Sequence, residues 1–121
     1  MNKETKEYLQ MLFNLGWQKF VKEDAPRAFD FMKGCLYKTP DGHKCLIGLT
    51  IPEGHPGERV KGGVYKLWQA YPDLRPAHVE GDYVCEAQEV LHDTLDNQGF
   101  SRETVYRNFA QRYDLTIPQE T

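Results

Sequence analysis

The chain has 121 residues, a formal net charge of −3, and contents of 40% hydrophobic and 12% aromatic residues. This length and apolar content predict one domain with a hydrophobic core and argue against a disordered chain. The negative charge argues against direct nucleic-acid binding, and an odd number of cysteines, three, favours reduced thiols over a disulfide framework.

No stretch of the sequence has the apolar length of a membrane span. The longest apolar run, CLIGLTI at 45–51, is much shorter than the ~20 residues that cross a bilayer. The first residues, MNKETKEYLQMLF, carry charges throughout and lack the apolar segment of a signal peptide. We therefore predict a single domain over residues 1–121, located in the cytoplasm and without a membrane partner.

Four segments have the apolar periodicity of amphipathic helices. The first covers 3–22 and should end before Pro26, because proline disfavours helical geometry in the residue that precedes it. The three others are predicted at 63–71, 82–97 and 101–113. Asp82 is the expected N-cap of the third helix, and Ser101 is that of the fourth.

The segment TPDG at 39–42 predicts a tight turn. Proline presets the backbone of the second turn position, and glycine adopts the left-handed conformation that other residues resist. Strands at 34–38 and 43–47 would then pair as a hairpin. The predicted fold class is α+β, with about four helices packed around a small antiparallel β-hairpin. Whether a further strand joins the hairpin stays open.

The cysteines and histidines invite a comparison with zinc sites. Strand alternation would place Cys35 and Cys45 on one face, and a zinc site could be drawn from them together with His43, Cys85 and His92. Structural zinc sites usually supply CxxC or HxxxH pairs, and neither spacing occurs here. Buried free thiols are therefore the favoured interpretation, and we predict no metal and no cofactor.

Two arrangements could support catalysis. His92 and Asp93 are adjacent as in metal phosphohydrolases, but neighbours on a helix point about 100° apart. Cys45 and His43 could form a thiolate–imidazole pair, although no oxyanion donors are evident. We assign no catalytic residue and expect a protein that is not an enzyme. A small metal-dependent or thiol enzyme that uses Cys35, Cys45, His43 and His92 is the alternative.

The third predicted helix is acidic along one side. No lysine or arginine occurs between Arg75 and Arg102. At about 100° per residue, five carboxylates fall within about 40° of the first. They are Asp82, Glu86, Glu89, Asp93 and Asp96. Like charges at these spacings repel, so the row is either a solvated face or a surface that contacts a basic groove.

Residues 35–52, CLYKTPDGHKCLIGLTIP, resemble a group of small proteins from tailed bacteriophages and prophages. The group shares the pattern C-x-Y-R-x-P-x-G-x-K-C-A-I-G-x-L-I-P. The matching residues are Cys35, Tyr37, Pro40, Gly42, Lys44, Cys45, Ile47, Gly48, Ile51 and Pro52, with His92 and Asp93 further along. The chain departs from the pattern at Lys38 and Leu46. The resemblance implies a phage-associated origin and assigns no catalytic residue.

Together these observations favour a small phage-encoded protein that binds and inhibits or redirects a host protein. The expected partner has a basic surface, such as a nucleic-acid-handling defence complex of the CRISPR type, and the five carboxylates of the third helix are the predicted contact. The protein would then act in the host cytoplasm. A scaffold or dimerising module is a simpler alternative, and the sequence leaves the oligomeric state open.

Overall fold

The structure, a computed structural model, describes residues 1–30 and 34–118, with the side chains of residues 30, 34 and 35 outside that description. Its principal helices are α1 (Lys3–Gly16), α2 (Val64–Ala70), α3 (Gly81–Gln88) and α4 (Arg102–Tyr113). Two of them continue as π-helical turns, α1 through Trp17–Lys22 and α3 through Glu89–Asp93. The four predicted helices are confirmed. No helix in the described ranges is both long and apolar enough to cross a bilayer.

The helix ends follow from local hydrogen bonding. The Asn2 side chain accepts a hydrogen bond from the Thr5 N–H at 2.8 Å, and Ser101 accepts one from the Thr104 N–H at 3.1 Å. The Ser101 cap was predicted correctly. The Asp82 cap is wrong, because α3 begins one residue earlier, at Gly81, and Asp82 lies in its first turn.

The helices α1, α3 and α4 share one apolar core. The buried apolar residues from these helices and from the turns that follow them are Leu9, Leu12, Phe13, Trp17, Phe20, Val84, Ala87, Leu91, Leu95, Val105, Tyr106, Phe109 and Ala110. The buried Tyr106 hydroxyl donates to the Leu91 carbonyl at 2.7 Å, which ties α4 to the π-turn of α3. Gly16 permits this packing, because a Cβ there would meet the Tyr106 hydroxyl and lie 2.9 Å from the Leu46 side chain.

The α+β prediction is wrong, because the fold is helical and its described residues contain no hairpin of the expected length. In the part of the chain that the structure describes, extended pairing is limited to three residue pairs. Phe29 pairs with Cys35, Asp30 pairs with Gly34, and Lys38 forms an isolated bridge with Lys44. The predicted first strand is therefore divided between an upstream and a downstream partner.

The predicted turn does form. The Gly42 N–H donates to the Thr39 carbonyl at 2.9 Å, and Gly42 has a φ of +92°. The strand after it fails because three successive residues, Cys45, Leu46 and Ile47, are buried, whereas a strand with one buried face alternates. The chain instead enters a 3₁₀ turn at Ile47–Thr50.

Candidate binding site beside the third helix

The helix α3 changes its hydrogen-bonding pattern at Glu89. The Thr94 N–H donates to the Glu89 carbonyl at 2.9 Å, a bond that spans five residues and defines a π-turn. The turn accommodates one extra residue, so later side chains are rotated by up to about 100° from their positions in a uniform α-helix. The five predicted carboxylates therefore do not form one straight row.

Asp82 and Glu86 lie on the α-helical part, and Glu89 is the first residue of the π-turn. Asp82 and Glu89 are exposed, and neither forms an ion pair within the described residues. The Tyr65 hydroxyl donates to Asp82 at 2.6 Å, and this hydrogen bond raises the pKa of Tyr65. Glu86 differs, because it pairs with Arg112 at 2.9 Å and accepts a hydrogen bond from the Tyr113 hydroxyl. Burial, together with Glu86, raises the pKa of Tyr113 to about 12.

Asp96 lies beyond the helix, in the left-handed conformation with a φ of +69°. Its two oxygens accept hydrogen bonds from the Arg102 Nε and Nη2 at 2.9 and 2.8 Å. These bonds hold the pKa of Asp96 below its ordinary value. The same guanidinium donates to the carbonyls of Phe20 and Ala25 at 3.1 and 2.6 Å. Asp96 therefore belongs to a structural cluster between the end of α1 and the start of α4.

Asp93 is turned toward a buried polar network. The network begins at Ala28, whose N–H donates to the His92 Nε2 at 2.9 Å. A backbone N–H can only donate, so the proton of the neutral ring is on Nδ1. That Nδ1–H donates to the Asp93 Oδ1 at 2.8 Å. The Gln88 Nε2 donates to the same oxygen at 2.7 Å, while the Gln88 Oε1 accepts from the Ile47 N–H at 2.9 Å.

This network leaves one carboxylate oxygen of Asp93 available. The hydrogen bonds from Gln88 and His92 both go to Oδ1, and Oδ2 accepts no hydrogen bond from the residues in 1–30 and 34–118. The Asp93 side chain is 33% exposed, whereas His92 is fully buried. Both ring nitrogens of His92 already form hydrogen bonds within the protein, so the role of His92 is to hold the Asp93 carboxylate in place.

A pocket of about 790 Å³ lies beside this part of α3, within the volume range of ligand sites in proteins. Its walls come from α3, from the chain around Tyr37 and Cys45, and from the loop before α2. Apolar groups dominate the lining, and the charged residues in it are Lys61, Glu89 and Asp93. Two of the predicted contact residues, Glu89 and Asp93, therefore meet at this pocket, while Asp96 does not line it.

The thiols at the pocket do not have the character of nucleophiles. Burial raises the pKa of Cys45 to about 12, and the Gly48 N–H contacts its sulfur at 3.2 Å. Burial also raises the pKa of Cys85. Since the thiolate is the reactive form, both groups are thiols at neutral pH.

The predicted thiol and metal ligands do not converge in the described ranges. His43 lies 3.5 Å from Asp41 at the turn, and the side chain of Cys35 is outside the described residues. Within residues 1–30 and 34–118, no group of three histidine, cysteine or acidic side chains is placed to hold a metal ion.

Sequence reasoning missed two important residues. Gln88 was assigned no role, although it connects Ile47 to Asp93. Arg102 was noted only as the end of a stretch without cations, yet its position shortly after Asp96 was the available signal for an ion pair.

Comparisons with family models, with curated proteins and with solved structures find no match to this chain. The resemblance of residues 35–52 to phage proteins therefore stays a prediction. The geometry of α3 and of the pocket beside it is the basis for the functional proposal.

Proposed function

We propose that this chain is a phage-encoded protein-binding module that inhibits or redirects a host protein through the acidic side of α3. The proposed partner has a basic surface, such as that of a nucleic-acid-handling defence complex. The contact consists of Asp82, Glu89 and Asp93 in this proposal. Glu86 and Asp96, which sequence spacing included in the contact, are paired within the protein and belong at its margin.

One observation carries the proposal: Asp82 and Glu89 are exposed carboxylates that no described cation neutralises. They are seven residues apart on α3, which aligns them on one side at a separation of about 10 Å. Asp93 adds a third charge at the adjacent pocket. Uncompensated like charges on one helix disfavour folding slightly, so their concentration is better explained by a complementary partner than by stability.

A basic partner surface would gain from this arrangement in two ways. Complementary charge accelerates encounter, and it excludes partners of the wrong sign. Grooves that bind nucleic-acid phosphates carry the same basic groups, so an acidic helix can occupy such a groove in place of the nucleic acid. Binding of this kind weakens as salt is added.

The test compares two double charge reversals with the same change in net charge. Asp82→Lys with Glu89→Lys removes the proposed contact. Glu4→Lys with Glu103→Lys is the control, because both residues are exposed and lie on α1 and α4. Each immobilised variant and the wild-type protein are used to capture proteins from bacterial lysate, and any captured protein is purified and titrated.

The proposal expects a partner that the wild-type protein and the control bind equally. The reversal on α3 should weaken that binding by about tenfold or more, equivalent to about 1.4 kcal/mol. Equal binding by all three proteins would overturn the proposal, as would binding that does not weaken between low and high salt.

A further inference from the structure

We propose that the pocket beside α3 is a binding site for a lysine or arginine side chain of the partner, together with part of an apolar neighbour. This inference rests on the proposed function, because the residue is presented by the basic partner. It adds a defined ligand chemistry, an alkylammonium or alkylguanidinium group with an apolar stem, and a defined acceptor, the Asp93 carboxylate.

The walls of the pocket suit the stem of such a side chain. Leu36, Ile47, Val60 and Val64 line it. Lysine and arginine cover apolar surface with their methylene chains while their charged ends reach a polar partner. The volume of about 790 Å³ exceeds what one side chain fills, which is why the occupant includes an apolar neighbour.

Asp93 supplies the negative charge that pairs with the cationic end of the lysine or arginine side chain. The bonds from Gln88 and His92 fix its Oδ1, at 2.7 and 2.8 Å, and they leave Oδ2 without a hydrogen bond from the described part of the chain. A carboxylate that is already oriented loses little conformational freedom when it binds a cation. The π-turn is the cause of this placement, because it brings Asp93 beside Gln88, five residues earlier in the chain.

The charges at the pocket favour a cation over an anion. Glu89 and Asp93 are the carboxylates in the lining, and Lys61 is the cation. Glu89 and Lys61 are both exposed, so each adjusts to the ligand more readily than Asp93 does. Lys61 would repel a cationic ligand and would attract an anionic one. Removing the Lys61 charge should therefore strengthen cation binding, whereas removing the Asp93 charge should weaken it.

The first experiment titrates the wild-type protein with four small probes at constant ionic strength. The cations are n-butylammonium and n-butylguanidinium, the neutral probe is n-pentanol, and the anion is pentanoate. Binding is followed by NMR through the Gln88 side-chain amide and the backbone amides of Gly62 and Gly63, which line the pocket. We expect both cations to saturate with dissociation constants of about 1–10 mM and the other probes to bind at least fivefold more weakly.

The second experiment repeats the cation titration with substituted proteins. Asp93→Asn keeps an Oδ1 that accepts from Gln88 and His92 and replaces the available Oδ2 with an amide group. It should weaken both cations at least fivefold, while the matched control Asp114→Asn, at the exposed end of α4, should not. Lys61→Met removes the like charge and should strengthen cation binding by about twofold.

The outcomes separate this inference from the proposed function. Equal binding of pentanol and the cations, stronger binding of pentanoate, or no saturation would each overturn the cationic site, whatever partner the α3 surface binds. Unchanged cation binding by Asp93→Asn would overturn the role of its carboxylate. If the pocket binds cations but the affinity for the partner does not change on the α3 charge reversal, the cationic site is supported and the proposed function is overturned.

Discussion

The acidic residues of α3 and the segment after it have two different surroundings. Asp96 meets the Arg102 guanidinium through two hydrogen bonds. That guanidinium also binds the backbone carbonyl of Phe20, in the π-turn that continues α1, and that of Ala25, just after it. Asp82 and Glu89 lie on the open side of the helix and meet no cation among the described residues. One carboxylate therefore holds elements together, and the others present charge to solvent.

The contrast shows that the spacing of charges along a sequence does not determine their use. A carboxylate whose charge is compensated within the fold contributes to stability and has little left for a partner. A carboxylate without such compensation contributes nothing or a small penalty to stability, and its charge is available for recognition. Substitutions at the two kinds of position should therefore have opposite effects on stability.

The largest effect should come from Arg102→Met. The substitution removes the donors to the carbonyls of Phe20 and Ala25 and leaves Asp96 with only the longer ion pair to Arg27, at 3.9 Å. The Arg102 side chain is only 15% exposed. We expect a loss of about 2–4 kcal/mol in the free energy of unfolding, since hydrogen bonds to charged groups are the stronger ones. Urea denaturation measures it. Lys3→Met removes an exposed pair with Glu7 and should change stability by about 0.5 kcal/mol or less.

A loss at Arg102 no larger than that at Lys3 would show that the cluster around Asp96 is as dispensable as a surface ion pair. The claim that Asp96 contributes to stability, in contrast to Asp82 and Glu89, would then be wrong.

The next effect should come from His92→Leu, which tests the support of Asp93. Both His92 and Ala28 are fully buried, so the substitution leaves the Ala28 N–H without its acceptor. We expect a loss of about 1–3 kcal/mol and faster hydrogen exchange at the Ala28 amide. His43→Leu, on the partly exposed turn, is the control and should leave the Ala28 amide protected. Unchanged protection in His92→Leu would contradict the hydrogen bond to His92.

Local signals in the sequence predicted the helices well. The apolar repeat located all four, and the Ser101 cap and the positive φ of Gly42 were both expected from residue chemistry. These features depend on interactions within a few residues, which is why a sequence alone can indicate them.

Features that depend on distant contacts were not predictable in this way. A count of about 100° per residue assumes a uniform helix, so it cannot show the π-turn at Glu89–Asp93 that redirects Asp93. The predicted hairpin failed because Cys45, Leu46 and Ile47 are all buried and the chain enters a 3₁₀ turn at Ile47–Thr50, where Gly48 packs against the Tyr37 carbonyl. The unbroken apolar run at 45–51 is consistent with this burial, but such a run does not by itself distinguish a buried turn from a buried strand.

A smaller and pH-dependent effect should come from Asp96→Asn. Asparagine accepts the left-handed backbone at this position, so the substitution mainly removes the charge that pairs with Arg102. The Asp96 side chain is about half exposed, and we expect a loss of about 1 kcal/mol or less at pH 7. Because Arg102 lowers the folded-state pKa of Asp96, the stabilisation is present above the unfolded value of about 4 and is lost as the pH falls through the folded value.

Urea denaturation of wild-type and Asp96→Asn proteins from pH 7 to pH 2 measures this difference. The two stabilities should converge at the acid end. A constant difference across the range would mean that the substitution acts through packing and not through the charge of Asp96.

The smallest effect should come from Glu89→Gln, and its sign should be opposite. Glu89 lies three residues after Glu86 and four before Asp93, so its charge is repelled along the helix, and it forms no ion pair with a cation among the described residues. Neutralising it should raise stability by about 0.2–0.5 kcal/mol at low salt, and the gain should disappear in high salt. Glu103→Gln, which breaks a pair with Arg107 at 3.0 Å, should instead lower stability slightly. A loss of stability at Glu89 would show that its charge is compensated within the fold, and the α3 surface would then have less charge to offer a basic partner.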